Sequence, residues 1–211
     1  MVVADLVESE QIPQSQIPPG FCLAGFAIPP MKIYTRTGDT GETGVLGGGR
    51  IAKTDARICA IGEIDELNAA VGLARAAHPS GPLSELLAIT QRNLFDLGAE
   101  LACPPDGAFE LHGPNAKETV RLEKSIDEMT ASLPPLTQFI LPGGCEEAAR
   151  LHFARSVARR AERAVLALHE AAPLRSESLT YLNRLSDWLF VAARAANAFH
   201  KIEETPWKPA D

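Results

Sequence analysis

The chain has 211 residues, 45% hydrophobic and 22% charged, with a formal net charge of −7, which suits one globular domain with a sizeable core and excludes a disordered chain. The acidic balance argues against nucleic acid as a general partner, and no apolar run reaches the roughly 18 residues of a membrane span. Cys22, Cys59, Cys103 and Cys145 are scattered without a CxxC pair, which points to reduced cysteines rather than a disulfide framework, redox pair or zinc site.

Residues 1–30 are proline-rich, contain no Lys or Arg and carry three acidic residues. A secretory signal needs a basic start and a mitochondrial transit peptide needs arginines, so neither fits. The segment reads as a flexible extension or an upstream translation start, with Met31 opening a domain over 31–200 and an irregular tail over 201–211. A cytoplasmic protein is expected.

KIYT at 32–35 reads as a short strand leading into the loop TRTGDTGETG, which has Gly38, Gly41 and Gly44 three apart and hydroxyls at Thr35, Thr37, Thr40 and Thr43. Glycines let the backbone take positive φ and approach a ligand closely, and successive free N–H groups can form an anion-binding concavity. Arg36, Arg50 and Lys53 add the charge a polyphosphate would need. The loop matches neither GxxxxGK[ST] nor GxGxxG, since Ala52 stands where the third glycine of the latter would fall. A polar surface turn explains the same residues, and composition alone leaves both readings open.

From here the pattern is helical. Asp55 can cap a helix to about Ala77 with Ile58, Ile61, Val71 and Ala74 on its apolar side. Pro82 opens a second, with Leu83, Leu86, Leu87, Leu94, Leu97 and Leu101 at helical spacing, closed by Cys103-Pro104-Pro105. Asn115 with Glu118 gives a third a capping-box-like start, and it ends before Pro134-Pro135. Gly143-Gly144 precedes a fourth over about Glu146–Glu170, and Ser178–Phe199 is the fifth, with Leu182, Leu185, Leu189 and Val191 apolar. Five helices with short connections predict an all-α, antiparallel bundle preceded by a short strand and loop. Such bundles can hold two metals through Glu-x-x-His pairs, but Arg75, Phe109, Ala149, Leu166 and Asn197 stand three residues before the five histidines. None is acidic, and the di-metal reading fails.

On the fourth helix Arg155, Arg159 and Glu162 share a face, with Arg163 following and Arg160 more to one side. The fifth carries Asn183, Asp187 and Phe190 at matching spacing. A solvated basic stripe laced by i, i+4 pairs is the bland account. Polar faces on two successive helices are costly to bury without a ligand or partner.

Residues 139–163, FILPGGCEEAARLHFARSVARRAER, and 181–197, YLNRLSDWLFVAARAAN, taken with TRTGDTGETG and GEIDELN, resemble the PduO-type ATP:cob(I)alamin adenosyltransferases across roughly 31–200. The resemblance implies a ferritin-like, cobalamin-adenosyltransferase-like bundle that moves the 5′-deoxyadenosyl group of ATP to the cobalt of a reduced corrinoid, leaving triphosphate. It places Thr35, Arg36, Thr37, Gly38, Thr43, Gly44 and Lys53 where the family's N-terminal segment wraps ATP. It places Arg159, Arg160, Glu162, Arg163 and Asn183 where the arginine helix and its neighbour hold the nucleotide. Asp65 and Arg155 match a salt bridge at the subunit interface, and Phe139 matches the aromatic residue below the corrinoid. Family members commonly carry lysine at Arg36, a swap that keeps the charge and gains a bidentate fork, and an aromatic at Ile61.

The implied substrates are ATP and cob(I)alamin, with Mg²⁺ arriving on the phosphates and no dedicated protein ligands for a metal. The implied assembly is a homotrimer with sites between subunits, whose three-fold contacts let one chain's loop meet another's helix. A flavoprotein reductase and an adenosylcobalamin-dependent client enzyme are the further partners such a role can have. Two other readings compete: a corrinoid carrier that hands cobalamin to a client without catalysis, and a purely structural bundle. Neither has a use for the TRTGD loop together with RRAER.

Overall fold

The structure, a computed structural model, describes residues 34, 36–46, 49–77, 80–103 and 113–209. The extension over 1–30, most of the expected KIYT strand and Thr35 lie outside the described residues. A two-stranded antiparallel hairpin, β1 (Glu42–Gly44) and β2 (Arg50–Ala52), pairs Thr43 with Ile51. Five helices follow among the described residues: α1 (Ala56–Ala76), α2 (Pro82–Ala102), α3 (Ala116–Ala131), α4 (Glu146–Ala171) and α5 (Ser176–Phe199).

The helix starts are set by local chemistry. Asp55 accepts a hydrogen bond from the Arg57 N–H at 2.8 Å, satisfying one of the unpaired donors of the first turn of α1. Pro82 occupies the start of α2, where its missing N–H costs nothing. Asn115 caps α3 through the Lys117 N–H at 2.9 Å. The expected reciprocal half of the capping box does not form. The Glu118 carboxylate turns instead to Asn93 at 3.3 Å and Arg121 at 3.3 Å, because these donors offer it tertiary and ionic partners.

The main helix contacts run α2–α1–α4–α5–α3, so α1 and α4 meet along their length and α5 lies between α4 and α3. Cross-links fix the antiparallel register of α1 and α4: Arg150 on α4 donates to the Leu73 carbonyl at 2.9 Å, and Arg160 donates to Glu63 at 2.6 Å. The core between the helices is leucine-rich. Leu67, Leu87, Leu94, Leu97, Leu101, Leu151, Leu182 and Leu185 are fully buried, with Ile64 among them, each contributing about 1.5–3 kcal/mol.

Ile61, which takes the place of an aromatic in the family pattern, is also packed into the core. Two large aromatic side chains close the bundle interior with their polar atoms satisfied: Trp188 Nε1 donates to Ser125 Oγ at 3.1 Å, and the Tyr181 hydroxyl accepts from Asn93 Nδ2 at 3.2 Å. Burial pushes the Tyr181 phenol up to about 12.

Two anchors position what lies outside the bundle. At one end, buried Arg57 donates to the carbonyls of Leu101 (2.6 Å) and Cys103 (3.2 Å), capping α2 with the start of α1. The Leu46 N–H donates to the Ala102 carbonyl at 3.1 Å and its side chain enters the core, so the hairpin is tied to the same corner. At the other end the tail, expected to be irregular, forms neither helix nor strand over its described residues 201–209, yet it is held in place. Ile140 bridges Pro206, Leu141 N–H donates to Thr205 O and Trp207 N–H to Phe139 O, both at 2.8 Å. Arg194, only 6% exposed, holds Glu204 at 2.9 Å and the Pro134 carbonyl at 2.9 Å, joining α5, the tail and the segment after α3.

Candidate active site

The N-terminal loop is built around Arg50. Its guanidinium donates to the carbonyls of Thr37 (2.7 Å) and Glu42 (3.2 Å), folding the loop back on the hairpin. The Lys53 N–H donates to the Gly41 carbonyl at 2.8 Å. Gly41 takes φ 88, which favours glycine, and a Cβ at Gly38 would come within 3.0 Å of Lys53 Nζ, so the lysine lies across that glycine. Arg36 takes φ 63, a left-handed conformation that costs a bulky residue about 1–3 kcal/mol and concentrates at functional sites. Its guanidinium lies 5.5 Å from the Tyr34 ring centroid. Arg36 and Thr37 are exposed, whereas Thr43 and Gly44 are buried in the hairpin. The loop therefore presents Arg36, Thr37, Gly38 and Lys53 together and uses Thr43 and Gly44 as its floor.

The α4 and α5 faces meet where the spacing places them. Asn183 Nδ2 donates to Glu162 Oε1 at 2.9 Å, and Arg163 donates to the Arg159 carbonyl at 2.9 Å, with the Arg159 side chain exposed. Arg160 turns away to Glu63 and Glu66 on α1. Those two carboxylates, Glu63 foremost, raise its affinity for its proton and leave it engaged within the chain.

One turn nearer the start of α4, Arg155 lies over the Phe190 ring, 5.9 Å from its centroid, with its Nε buried and without a hydrogen-bond partner. Asp65 is exposed on α1, and among the described residues no ion pair joins it to Arg155. A single chain thus leaves the two halves of the expected pair apart, the condition a contact between two copies would satisfy.

Sequence reasoning missed His152, three residues before Arg155. Its side chain is 3% exposed, neither ring nitrogen has a partner, and the ring sits 6.0 Å from Phe190. Its i, i+3 spacing to Arg155 was the available signal. Burial, then the Arg155 cation, lowers its pKa from the ordinary 6.5, against the opposing charge of Glu204. The sign follows from linkage: the unfolded chain takes up a proton below about pH 6.5 that the folded imidazole resists. Stability is unaffected above that pH and falls as the pH drops through it, by up to about 1.4 kcal/mol per unit until the folded imidazole itself titrates. Urea unfolding at pH 7 and pH 5 should show a smaller acid loss for His152→Gln than for the parent; equal losses would remove His152 as the source.

Phe139 is 80% exposed, so it is not part of the core of the chain. Its ring meets Trp207 edge-on at 6.5 Å and 81°, and Trp207 is half-exposed. Leu136, Leu141, Phe199 and Ile202 are also exposed at this end of the bundle, which leaves several large apolar side chains uncovered among the described residues. Trp207 was invisible to sequence reasoning because its partner Phe139 stands far from it in the chain, beyond the reach of any local pattern.

The chain has known counterparts. The family model for cobalamin adenosyltransferase matches residues 33–196. The corrinoid adenosyltransferase of Bacillus subtilis (strain 168) is 46% identical over 185 residues, covering 84% of this chain and 93% of that protein. That of Mycobacterium leprae (strain TN) is 43% identical over 191 residues, covering 87% and 98%. A variant PduO-type ATP:corrinoid adenosyltransferase from Lactobacillus reuteri, solved with cobalamin and ATP, superposes with a TM-score of 0.80 at 38% identity, covering 84% of this chain and all of that one. The chain belongs to the cobalamin adenosyltransferase family.

Proposed function

We propose that this chain transfers the 5′-deoxyadenosyl group of ATP to the cobalt of cob(I)alamin, giving adenosylcobalamin and triphosphate. The electron pair of cobalt(I) forms the bond to C5′, and the C5′–O bond breaks with its pair leaving on triphosphate. The reduced metal of the substrate is the nucleophile, so the protein supplies position and electrostatics rather than a serine or cysteine. Orientation of the two substrates can lower such a barrier by about 7–11 kcal/mol.

The observation that carries this reading is the pairing of Glu162 with Asn183 beside exposed Arg159 and Arg163, in a chain that also presents the Arg36–Lys53 loop. The arginines and Lys53 suit the leaving triphosphate; Arg160 supports the site from its α1 carboxylates, and Thr35, Arg36, Thr37, Gly38, Thr43 and Gly44 form the wrapping loop. Mg²⁺ would be carried by the phosphates of ATP and would supply further neutralisation of the leaving charge. The donor chemistry fits that route: the loop and the helix face present mainly guanidinium, ammonium and hydroxyl groups with Asp39 exposed beside them, Glu42 is paired with Arg50 and Glu162 accepts from Asn183, so the phosphates rather than a carboxylate cluster would carry the metal. Asp65 of one copy would meet Arg155 of another in a homotrimer, bringing one chain's loop to its neighbour's helix.

Phe139, with Trp207 against it, excludes water and the lower axial ligand from the corrinoid, which makes cobalt(I) accessible by reduction. A reductase would supply that electron and a client enzyme would take the product.

A corrinoid carrier would use the Phe139 surface alone. Calorimetry distinguishes the two: the parent chain should bind Mg-ATP, and Arg159→Ala and Asn183→Ala should each weaken binding by about tenfold or more while leaving the helical circular dichroism intact, the cost of a charged or neutral hydrogen bond. A parent chain without ATP affinity would favour the carrier, and unchanged affinity in both variants would remove these residues from the site.

A further inference from the structure

The start of α4 and the end of α5 bring together three donors that the transfer reaction does not use. Cys145 Sγ, a Glu147 carboxylate oxygen and a ring nitrogen of His200 lie within 4.8 Å of one another. His200 Nε2 and Glu147 Oε2 are 2.9 Å apart. Tetrahedral zinc, with bonds of about 2.0–2.3 Å, holds its ligand atoms about 3.5 Å from one another, so side-chain rotations that close the group by about 1 Å complete three corners.

The backbone beneath these donors is over-determined. Asn197, 2% exposed and one helical turn before His200, accepts from the Cys145 N–H at 2.9 Å and donates to the Gly143 carbonyl at 3.0 Å. Gly144 takes φ 111, and a Cβ there would fall 2.0 Å from Asn197 Oδ1. The turn that carries Cys145 is therefore locked to the helix that carries His200. Buried support of this kind holds metal ligands in register. Cys145 and Glu147 are half-buried and His200 is exposed, so the group is open to solvent on one side.

We propose that Cys145, Glu147 and His200 form a binding site for a zinc-type divalent cation, which joins α4 to α5. A thiolate, a carboxylate and a neutral imidazole balance a divalent charge, and the sulfur selects Zn²⁺ or Co²⁺ over Mg²⁺ and Ca²⁺. Three protein ligands leave a fourth position for water. Because residues 202–207 leave from His200 to pair with 139–141, the cation steadies the segment that carries Trp207 to Phe139. The site rests on its donor atoms and stands whether or not the chain transfers adenosyl groups.

Co²⁺ is the probe. The full chain, freed of metal by chelation, is titrated with Co²⁺ and then Zn²⁺ under reducing conditions. One equivalent of Co²⁺ per chain should produce a near-ultraviolet thiolate-to-cobalt band, and Zn²⁺ should abolish it. Cys145 Sγ caps α4 by accepting from the Ala148 N–H at 3.4 Å, a contact that the hydroxyl of Cys145→Ser can keep; that variant should lose the band, and His200→Gln should weaken Co²⁺ binding by at least about tenfold. Cys59→Ser should match the parent, and circular dichroism should show all three variants folded. A parent chain without the band, or a folded Cys145→Ser that retains it, overturns the site.

Discussion

Phe139→Ala is expected to slow adenosylation that starts from cob(II)alamin by about tenfold to a thousandfold, ~1.4–4 kcal/mol, while leaving ATP affinity and folding stability nearly unchanged. The structure separates these effects. A buried phenylalanine would cost about 3–5 kcal/mol on truncation, but Phe139 is 80% exposed and touches Trp207 rather than the core, so a surface-scale change of within about 0.5 kcal/mol is expected. With ATP present, the parent should show a four-coordinate cobalt(II) species by absorption or magnetic resonance, and the variant should largely lose it. A folded variant with that signal unchanged would end the proposed role of Phe139.

Asp65 and Arg155 should behave as one unit. Arg155 Nε is buried without a hydrogen-bond partner within the chain, and removing one member of a buried pair typically costs about 3–5 kcal/mol through the charge left behind. Asp65→Ala and Arg155→Ala should therefore each impair assembly or turnover severely, and the double variant should be little worse than either. Sedimentation and turnover measured across the four proteins give the coupling energy. Strict additivity would mean that the two side chains do not meet in the assembly.

The bundle was legible in the sequence because its signals are local. Asp55, Pro82 and Asn115 mark helix starts through chemistry confined to one turn, Gly143-Gly144 signals a break before α4, and the leucines of α2 repeat at the helical period. The polar faces of α4 and α5 were legible for the same reason, and Glu162 and Asn183 meet as their spacing implies. What was hidden depends on distant partners. The apolar run at 139–141 carries no local sign that Phe139 stays 80% exposed, with Trp207 edge-on against it among the described residues. The tail looks irregular because its order comes from Arg194 and from residues 139–141, far away in the chain. The hairpin inside the glycine loop was also missed: its strands span three residues each, too few for an alternating pattern to register. Asp65 and Arg155 do not meet within one chain, so only the family resemblance gave them a role.

The central claim is that C5′ passes from ATP to cobalt with triphosphate leaving whole. A single-turnover reaction of the full chain with Mg-ATP and chemically reduced cob(I)alamin tests it, following the corrinoid spectrum while the phosphate products are separated. Adenosylcobalamin and intact triphosphate should appear together in equal amounts and at one rate. A corrinoid that binds but stays cob(I)alamin, or ATP split to ADP and phosphate without an adenosylated product, would contradict it.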